Sequence, residues 1–366
     1  MNSRSMNRCR SIDLTYLCHD LIRRFFPAIT VLAAIGGVLL APASATGQAL
    51  SAGKSSKANT AKAWTPPRTP DGHPDLQGIW SISTLTPLER PKELAGKSFF
   101  TPEEAAAFEK RTIQQVNTDR RGNDPSSDLD GAYNESCKDR GDKVLASGQT
   151  SLIVDPPDGR IPPMTAAAQK RVEEVVTWRR LHPADGPESF NWWTRCITRG
   201  LPLRPTGYNN NYQIVQTPGY VVLYHEMINE ARVIPLDGRP HIPSSIRSYL
   251  GDGRGHWEGD TLVVDTTNFV DDYNSTGSGP GWFIGGLHLI ERFTRVDAKT
   301  INYEFTIDDP ATFAKSWTAR FPMTTIPGPI FEYACHEGNY AMTGSLSGAR
   351  AEEKRAGKQP GKTVSK

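Results

Sequence analysis

The sequence predicts a mainly β protein: an antiparallel curved sheet or a closed, lipocalin-like β-barrel, with two peripheral helices and long loops. Glycine (32 residues) and proline (28 residues) are abundant, which favours strands and turns over a helical bundle. Strand-like segments follow one another through the last third of the chain, and short turns separate them. Serial strands of this kind are typical of sheets that curve or close.

Residues 1–45 have the pattern of a secretory signal peptide. Arg23 and Arg24 precede an apolar run over residues 25–40, and the Ala-Ser-Ala string at 43–45 fits the small-residue cleavage rule. The run is short for a membrane-spanning helix, and a retained anchor is the alternative. We therefore expect a periplasmic or secreted protein with no stable membrane anchor once the signal is removed.

Composition divides the rest of the chain and excludes one class of partner. Residues 46–63 read as a flexible lead-in, residues 64–350 as a single β-rich domain, and residues 351–366 as a disordered tail. Removal of five arginines and two aspartates with residues 1–45 takes the formal charge from +2 to −1. Because this charge gives no electrostatic support for binding to phosphates, a nucleic-acid partner is not expected.

The expected elements follow from local patterns. Thr101 before Pro102 predicts a helix over 101–115, and Thr165 caps a second helix over 165–180. Short strands are expected around Trp80 and over 151–154. A strand meander over 212–340 is expected to consist of segments 212–216, 220–225, 231–234, 257–262, 261–269, 287–295, 300–307 and 330–337.

Six strings carry a resemblance to a known group of proteins. They are DLQGIW (75–80), SLIVDPPDGR (151–160), RCITRG (195–200), DGRPH (237–241), WEGDTLVVD (257–265) and YACHEGNY (333–340). Together they resemble a large, mostly uncharacterised family of exported proteins from soil and aquatic bacteria, over roughly residues 68–350. The resemblance implies export but no particular reaction.

Three cysteines follow the signal segment: Cys137, Cys196 and Cys335. An exported protein meets an oxidising compartment, so one disulfide is expected. We favour Cys196–Cys335 because both residues lie in segments that read as ordered; three unpaired thiols are the alternative. Proteins of the resembling family usually carry aromatic residues where this chain has residues 135–138, which also favours pairing the other two cysteines.

Strand parity suggests one polar face that is capable of chemistry. Side chains alternate along a strand, so the apolar sets of the last strands share one face and a polar set shares the other. The predicted catalytic residues on this polar face are His288, Arg292, Glu304, Glu332 and His336. Imidazoles beside carboxylates transfer protons near neutral pH, and an arginine holds an anionic group. The alternative is a solvated face with ordinary cross-strand ion pairs.

Further candidates lie outside these strands. Trp192, Trp193 and Tyr208, in a long loop over 182–211, are expected to contact a substrate together with Arg239 and His241; core packing is the alternative for the aromatic residues. No cofactor is predicted. A weaker alternative places zinc or iron on His225, His288 and His336, although their spacing matches no metal motif.

These features favour an exported enzyme that acts on a small organic molecule by cofactor-independent acid–base chemistry, as a lyase, hydrolase or isomerase. The alternative is a lipocalin-like periplasmic protein that binds a small molecule without turnover. A third interpretation is an envelope or interaction protein that uses its long loops. His336 and His288 would act as acid or base in the first case.

Overall fold

The computed structural model describes residues 64–119, 134–271 and 286–357. The predicted signal peptide, the lead-in over 46–63 and the end of the predicted tail lie outside these residues. Within them, no helix has the length and apolar character needed to cross a bilayer.

Ten antiparallel strands form one sheet that is nearly closed into a barrel. They are β1 (Gly78–Ser81), β2 (Ile153–Asp155), β3 (Asn211–Thr217), β4 (Tyr220–His225), β5 (Glu230–Pro235), β6 (Asp252–Glu258), β7 (Thr261–Thr267), β8 (His288–Arg295), β9 (Thr300–Asp308) and β10 (Trp317–Thr325). The order is β5-β4-β3-β1-β10-β9-β8-β7-β6, and β2 also pairs with β10. Two meanders, β3–β5 and β6–β10, are thus joined through the short strand β1. This confirms the predicted mainly β, curved or closed architecture.

The helices of the described residues are α1 (Pro102–Val116), α2 (Ala166–Leu181) and α3 (Tyr340–Arg355). Thr101 caps α1 in a complete capping box with Glu104, and Thr165 caps α2 by accepting the N–H of Ala168. Both predicted helices are present. The third helix, α3, was not predicted. It extends through residues 351–355, so the prediction of a disordered tail from residue 351 is wrong for these residues.

The predicted strand over 330–337 is wrong. This segment is irregular, and its backbone bonds to side chains rather than to a neighbouring strand. Asn229 accepts the N–H of Tyr333 at 3.1 Å, and the Asn229 amide donates to the Tyr333 carbonyl at 2.9 Å. The last strand is instead β10.

The interior of the barrel is filled by one apolar cluster. Buried side chains alternate along β8, β9 and β10, and the largest include Trp80, Trp317, Phe293 and Phe305. At the closure, a side chain on Gly255 of β6 would lie 2.6 Å from a methyl group of Leu236, so glycine allows the close approach.

The predicted disulfide is confirmed. Cys196 and Cys335 are bonded, with Cα atoms 5.8 Å apart, within the usual range for a disulfide. The bond fixes the irregular segment after β10 to the loop that contains Trp192 and Trp193.

Candidate functional site

The polar residues predicted on β8 and β9 do share a face, but it is the outer one. His288, Arg292 and Glu304 lie opposite the buried face that carries Leu289 and Phe293. Arg292 and Glu304 are register partners across the two strands. Their ion pairs go elsewhere: Arg292 contacts Glu258 at 2.6 Å, and Glu304 accepts from Arg320 at 2.6 Å.

Glu332 and His336 do not join this face. Both are exposed in the irregular segment that precedes α3. Their predicted placement depended on strand parity over 330–337, and parity has no meaning where no strand forms. The structure therefore brings together three of the five predicted catalytic residues on one face, without a shared cavity, and the catalytic roles remain predictions.

His288 belongs instead to a chain of alternating aspartates and histidines, which we call the Asp–His chain: Asp252, His241, Asp265, His288 and Asp308. His241 lies between two carboxylates, with Nδ1 3.0 Å from Asp252 and Nε2 3.0 Å from Asp265. His288 Nε2 lies 2.9 Å from the second oxygen of Asp265, and its Nδ1 is 3.8 Å from Asp308. The chain joins a predicted catalytic residue to a predicted substrate-binding residue.

Hydrogen bonding sets the protonation behaviour of this chain. The bond to Asp265 raises the pKa of His288, and burial opposes this only in part. The same bond lowers the pKa of Asp265. Burial acts to raise the pKa of Asp252, but bonds from Ile242, Arg254 and His241 lower it overall. The bond between them thus favours a charged His288 imidazole beside a charged Asp265 carboxylate.

The three histidines of the metal alternative, His225, His288 and His336, do not share a site. His225 is buried with Nε2 3.0 Å from the Asn209 carbonyl, and burial lowers its pKa to about 3. His288 lies on the outer face, and His336 is exposed. Within the described ranges, no group of three or more histidine, cysteine, aspartate or glutamate side chains is placed to hold a metal ion.

A buried polar cluster crosses the barrel interior. Arg232 of β5 contacts Glu291 of β8 at 2.5 Å and donates to Thr266 of β7 at 2.6 Å. Tyr303 donates to the other Glu291 oxygen at 2.8 Å. The Glu291 side chain has no exposed surface and that of Arg232 only 8%. By strand parity Glu291 falls on the same face of β8 as Leu289 and Phe293, and a carboxylate on an apolar face is the sequence signal for this cluster.

A cleft of about 620 Å³ lies beside the core, where Leu152 and Tyr212 form part of its lining. Its walls come from six parts of the chain: residues 84–89, the C-terminal half of α1, Arg140, Leu152, residues 199–207 and Tyr212 of β3. The lining residues are Thr84, Leu85, Thr86, Pro87, Leu88, Glu89, Thr112, Val116, Arg140, Leu152, Arg199, Gly200, Pro202, Arg204, Pro205, Thr206, Gly207 and Tyr212. We call it the arginine cleft, because three of its four charged residues are arginines.

Two of these arginines lie in a low-dielectric environment. Burial lowers the pKa of Arg204 to about 10, and repulsion from Arg199 adds to the shift. Burial also lowers the pKa of Arg199. The guanidinium of Arg199 lies 4.5 Å from the ring centre of Trp193, and its main-chain N–H donates to Glu230 at 3.0 Å. Arg199 is therefore held at both its backbone and its side chain.

Two of the predicted substrate-binding residues, Trp193 and Tyr208, lie next to residues that line this cleft. Trp193 packs on Arg199, and Tyr208 follows the lining residue Gly207 and lies 6.1 Å from Trp193, centre to centre. Trp192 is buried against Tyr249. Arg239 is exposed and paired with Asp237, and His241 belongs to the Asp–His chain. These last two thus lie outside the lining.

Comparison with protein-family models, curated proteins and solved structures returned no match to this chain.

Proposed function

We propose that this chain is an exported protein that binds a small organic molecule in the arginine cleft. The observation that carries the proposal is the cleft itself. Its volume lies within the ~300–1,000 Å³ typical of ligand pockets. Its lining joins apolar side chains, such as Leu85 and Leu88, to a few polar groups, as sites that orient small molecules do.

The elements around the cleft support a preformed site. The helix α1 is fixed by its capping box, and Glu109 on it accepts the main-chain N–H of Val144 at 3.1 Å. The Leu203 N–H donates to Tyr303 at 3.2 Å, which ties the segment 199–207 to the barrel. Walls that are held in place lower the ordering cost of binding.

Export rests on two supports of different kinds. The Cys196–Cys335 disulfide suits an oxidising compartment, and residues 1–45 have the pattern of a signal peptide. N-terminal sequencing of protein recovered from outside the cytoplasm tests this part. A mature chain that begins near Thr46 supports export through a cleaved signal peptide; a chain that keeps residues 1–45 contradicts cleavage and favours the retained anchor.

Gly207 offers a direct test of the binding site. It lines the cleft, and a Cβ there would meet no atom within 4 Å, so Gly207→Leu fills the cleft without disturbing the fold. Gly344 on α3 has the same open surroundings, and Gly344→Leu is the matched control. Native mass spectrometry should find a retained small molecule, or thermal shift a stabilising one, in wild type and Gly344→Leu but not in Gly207→Leu. Equal binding by all three proteins would contradict the cleft as the site.

A second candidate function is the acid–base enzyme. The observation that favours it is Asp265, whose two oxygens each contact an imidazole, that of His241 and that of His288. An imidazole held by a carboxylate is suited to proton transfer. Hydrolysis of p-nitrophenyl esters, measured for wild type and Asp265→Asn, tests the hydrolase form; turnover that the substitution leaves unchanged would argue against this site.

A further inference from the structure

The lining of the arginine cleft contains a polar group that the rest of the described protein does not engage, the hydroxyl group of Tyr212. Tyr212 is only 2% exposed, and its ring stacks on that of His225 with ring centres 4.1 Å apart. The hydroxyl group makes no hydrogen bond to any described residue, yet its oxygen is not sealed from solvent. Because Tyr212 lines the cleft, the remaining accessible surface of this hydroxyl group faces the cleft.

Several other polar side chains of the lining already have partners within the protein. Thr84 and Thr206 donate to main-chain carbonyls, at 3.2 Å and 2.7 Å. Arg140 pairs with Glu135 at 2.6 Å. Groups of this kind must give up a bond before they serve a ligand, whereas the Tyr212 hydroxyl gives up none within the described residues.

The Tyr212 hydroxyl keeps its proton and is therefore a hydrogen-bond donor. Burial raises the pKa of Tyr212 well above its ordinary 10, Glu230 adds to the shift, and Arg199 and Arg204 oppose it in part. Both arginines line the cleft. Their effect on the hydroxyl group agrees with its position at the cleft surface.

Much of the remaining lining is apolar and favours contact with hydrocarbon. Leucine, valine and proline supply this part: Leu85, Pro87, Leu88, Val116, Leu152, Pro202 and Pro205. A hydrocarbon group placed over the Tyr212 hydroxyl would bury a donor without an acceptor, which is unfavourable. A ligand that combines an apolar body with an acceptor atom avoids this cost.

We propose, building on the binding function above, that Tyr212 recognises the ligand by donating a hydrogen bond to its oxygen, and that the ligand is a small, mainly apolar carbonyl compound such as a ketone or ester. The leucine and proline side chains contact its hydrocarbon body. A carbonyl oxygen satisfies the phenol donor without bringing a charge or a further donor into the apolar part of the cleft.

Equilibrium dialysis with paired probes tests this proposal. Acetophenone and α-methylstyrene have nearly the same shape and differ by a carbonyl oxygen in place of a methylene group; cyclohexanone and methylenecyclohexane form a second pair. Hydrocarbons leave water more readily than ketones do, so the informative quantity is the ratio of ketone to hydrocarbon affinity, compared between proteins.

Tyr212→Phe removes only the hydroxyl group. The substitution retains the ring that stacks on His225 and breaks no hydrogen bond within the described residues, so urea denaturation should show a stability close to that of wild type. The variant should bind the ketones more weakly and the hydrocarbons as well as before or better, so that the affinity ratio falls roughly tenfold. Tyr224→Phe, which removes a hydroxyl group bonded to Asn229 at 2.9 Å, is the matched control and should keep the wild-type ratio.

The outcomes separate this inference from the function beneath it. An affinity ratio that Tyr212→Phe leaves unchanged, with both probes of a pair lost in Gly207→Leu, would overturn the role of Tyr212 and leave the cleft as a binding site. Ketones that fail to bind wild type, while native mass spectrometry finds a molecule retained by wild type but not by Gly207→Leu, would overturn the carbonyl class alone. Ketone binding that survives Gly207→Leu unchanged would overturn both the inference and the cleft as the site.

Discussion

The hydroxyl group of Tyr303 donates a 2.8 Å hydrogen bond to Glu291 in the barrel interior, and the same oxygen accepts the main-chain N–H of Leu203. Leu203 lies between Pro202 and Arg204, both of which line the arginine cleft. Burial raises the pKa of Tyr303, and the adjacent Glu291 adds to the shift, so the phenol keeps its proton. One side chain thus connects the buried ion pair of the barrel to the segment that contributes Pro202 and Arg204 to the cleft lining.

Removal of one partner of the Arg232–Glu291 pair should lower the free energy of unfolding strongly. Arg232→Met leaves the Glu291 carboxylate in the core without its cation, and the loss of one partner of a buried pair typically costs ~3–5 kcal/mol. Arg320→Met removes a partner from the exposed pair with Glu304 and should cost less than ~1 kcal/mol. Urea denaturation measures both. Similar losses for the two variants would show that the interior pair is not buried as described.

The disulfide should contribute strongly to stability. It joins residues separated by 139 positions, and closing a loop of that length destabilises the unfolded chain by about 5 kcal/mol in the chain-entropy model. We expect Cys196→Ser combined with Cys335→Ser to lower the free energy of unfolding by about that amount. Non-reducing peptide mapping must first recover the linked peptides from wild type. Alkylation of both thiols without prior reduction would contradict the bond.

The pattern of strands could be predicted where alternation was unbroken. The alternate apolar residues expected in the core are buried: Leu289 and Phe293 on β8, and Ile301, Tyr303, Phe305 and Ile307 on β9. β10 was missed because Pro322 interrupts it, and proline usually marks an edge. Here Pro322 lies between the residues that pair with β2 and those that pair with β1, so its missing N–H removes no ladder bond.

The candidate sites could be predicted only in part. Residues 331–337 alternate like a strand, yet Asn229 and the disulfide hold them in an irregular path. His288 and His241 were both identified from sequence, but Asp265, which joins them, lies on another strand and was not. The arginine cleft was missed because its walls come from segments far apart in the chain, and periodicity within one segment carries no information about such a meeting.

The Asp–His chain should make stability depend on pH in a defined direction. The pKa of His288 is raised above its ordinary 6.5, so its contribution is fully present below pH 6.5 and is lost as the pH rises through the higher, folded-state value. The pKa of Asp265 is lowered below 3.8, so its contribution is present above pH 3.8 and is lost in stronger acid. The chain should therefore stabilise the fold most between these values.

His288→Asn measures this effect. Compared with wild type, its free energy of unfolding should fall less between pH 6 and pH 9, because the titrating group is gone. His336→Asn, which alters an exposed histidine in the irregular segment, is the control and should retain the wild-type pH dependence. A parallel pH profile for wild type and His288→Asn would mean that the bond to Asp265 is too weak to matter.

Tyr303→Phe tests whether the barrel interior and the cleft are coupled through the Tyr303 hydroxyl. The substitution keeps the packing of the ring against Phe293 and Phe321 but leaves the Leu203 N–H without its acceptor and one Glu291 oxygen without its donor. Unsatisfied buried groups cost roughly 1–3 kcal/mol, and urea denaturation should show a loss of that size. Because Leu203 would then lose its fixed position, the cleft lining at Pro202 and Arg204 would be held less well, and native mass spectrometry should find less retained small molecule than with wild type. Tyr224→Phe, which removes a hydroxyl bonded to Asn229 on the surface, is the matched control and should change neither quantity. A loss of stability with unchanged retention of the small molecule would confine the role of the Tyr303 hydroxyl to the barrel and contradict its connection to the cleft.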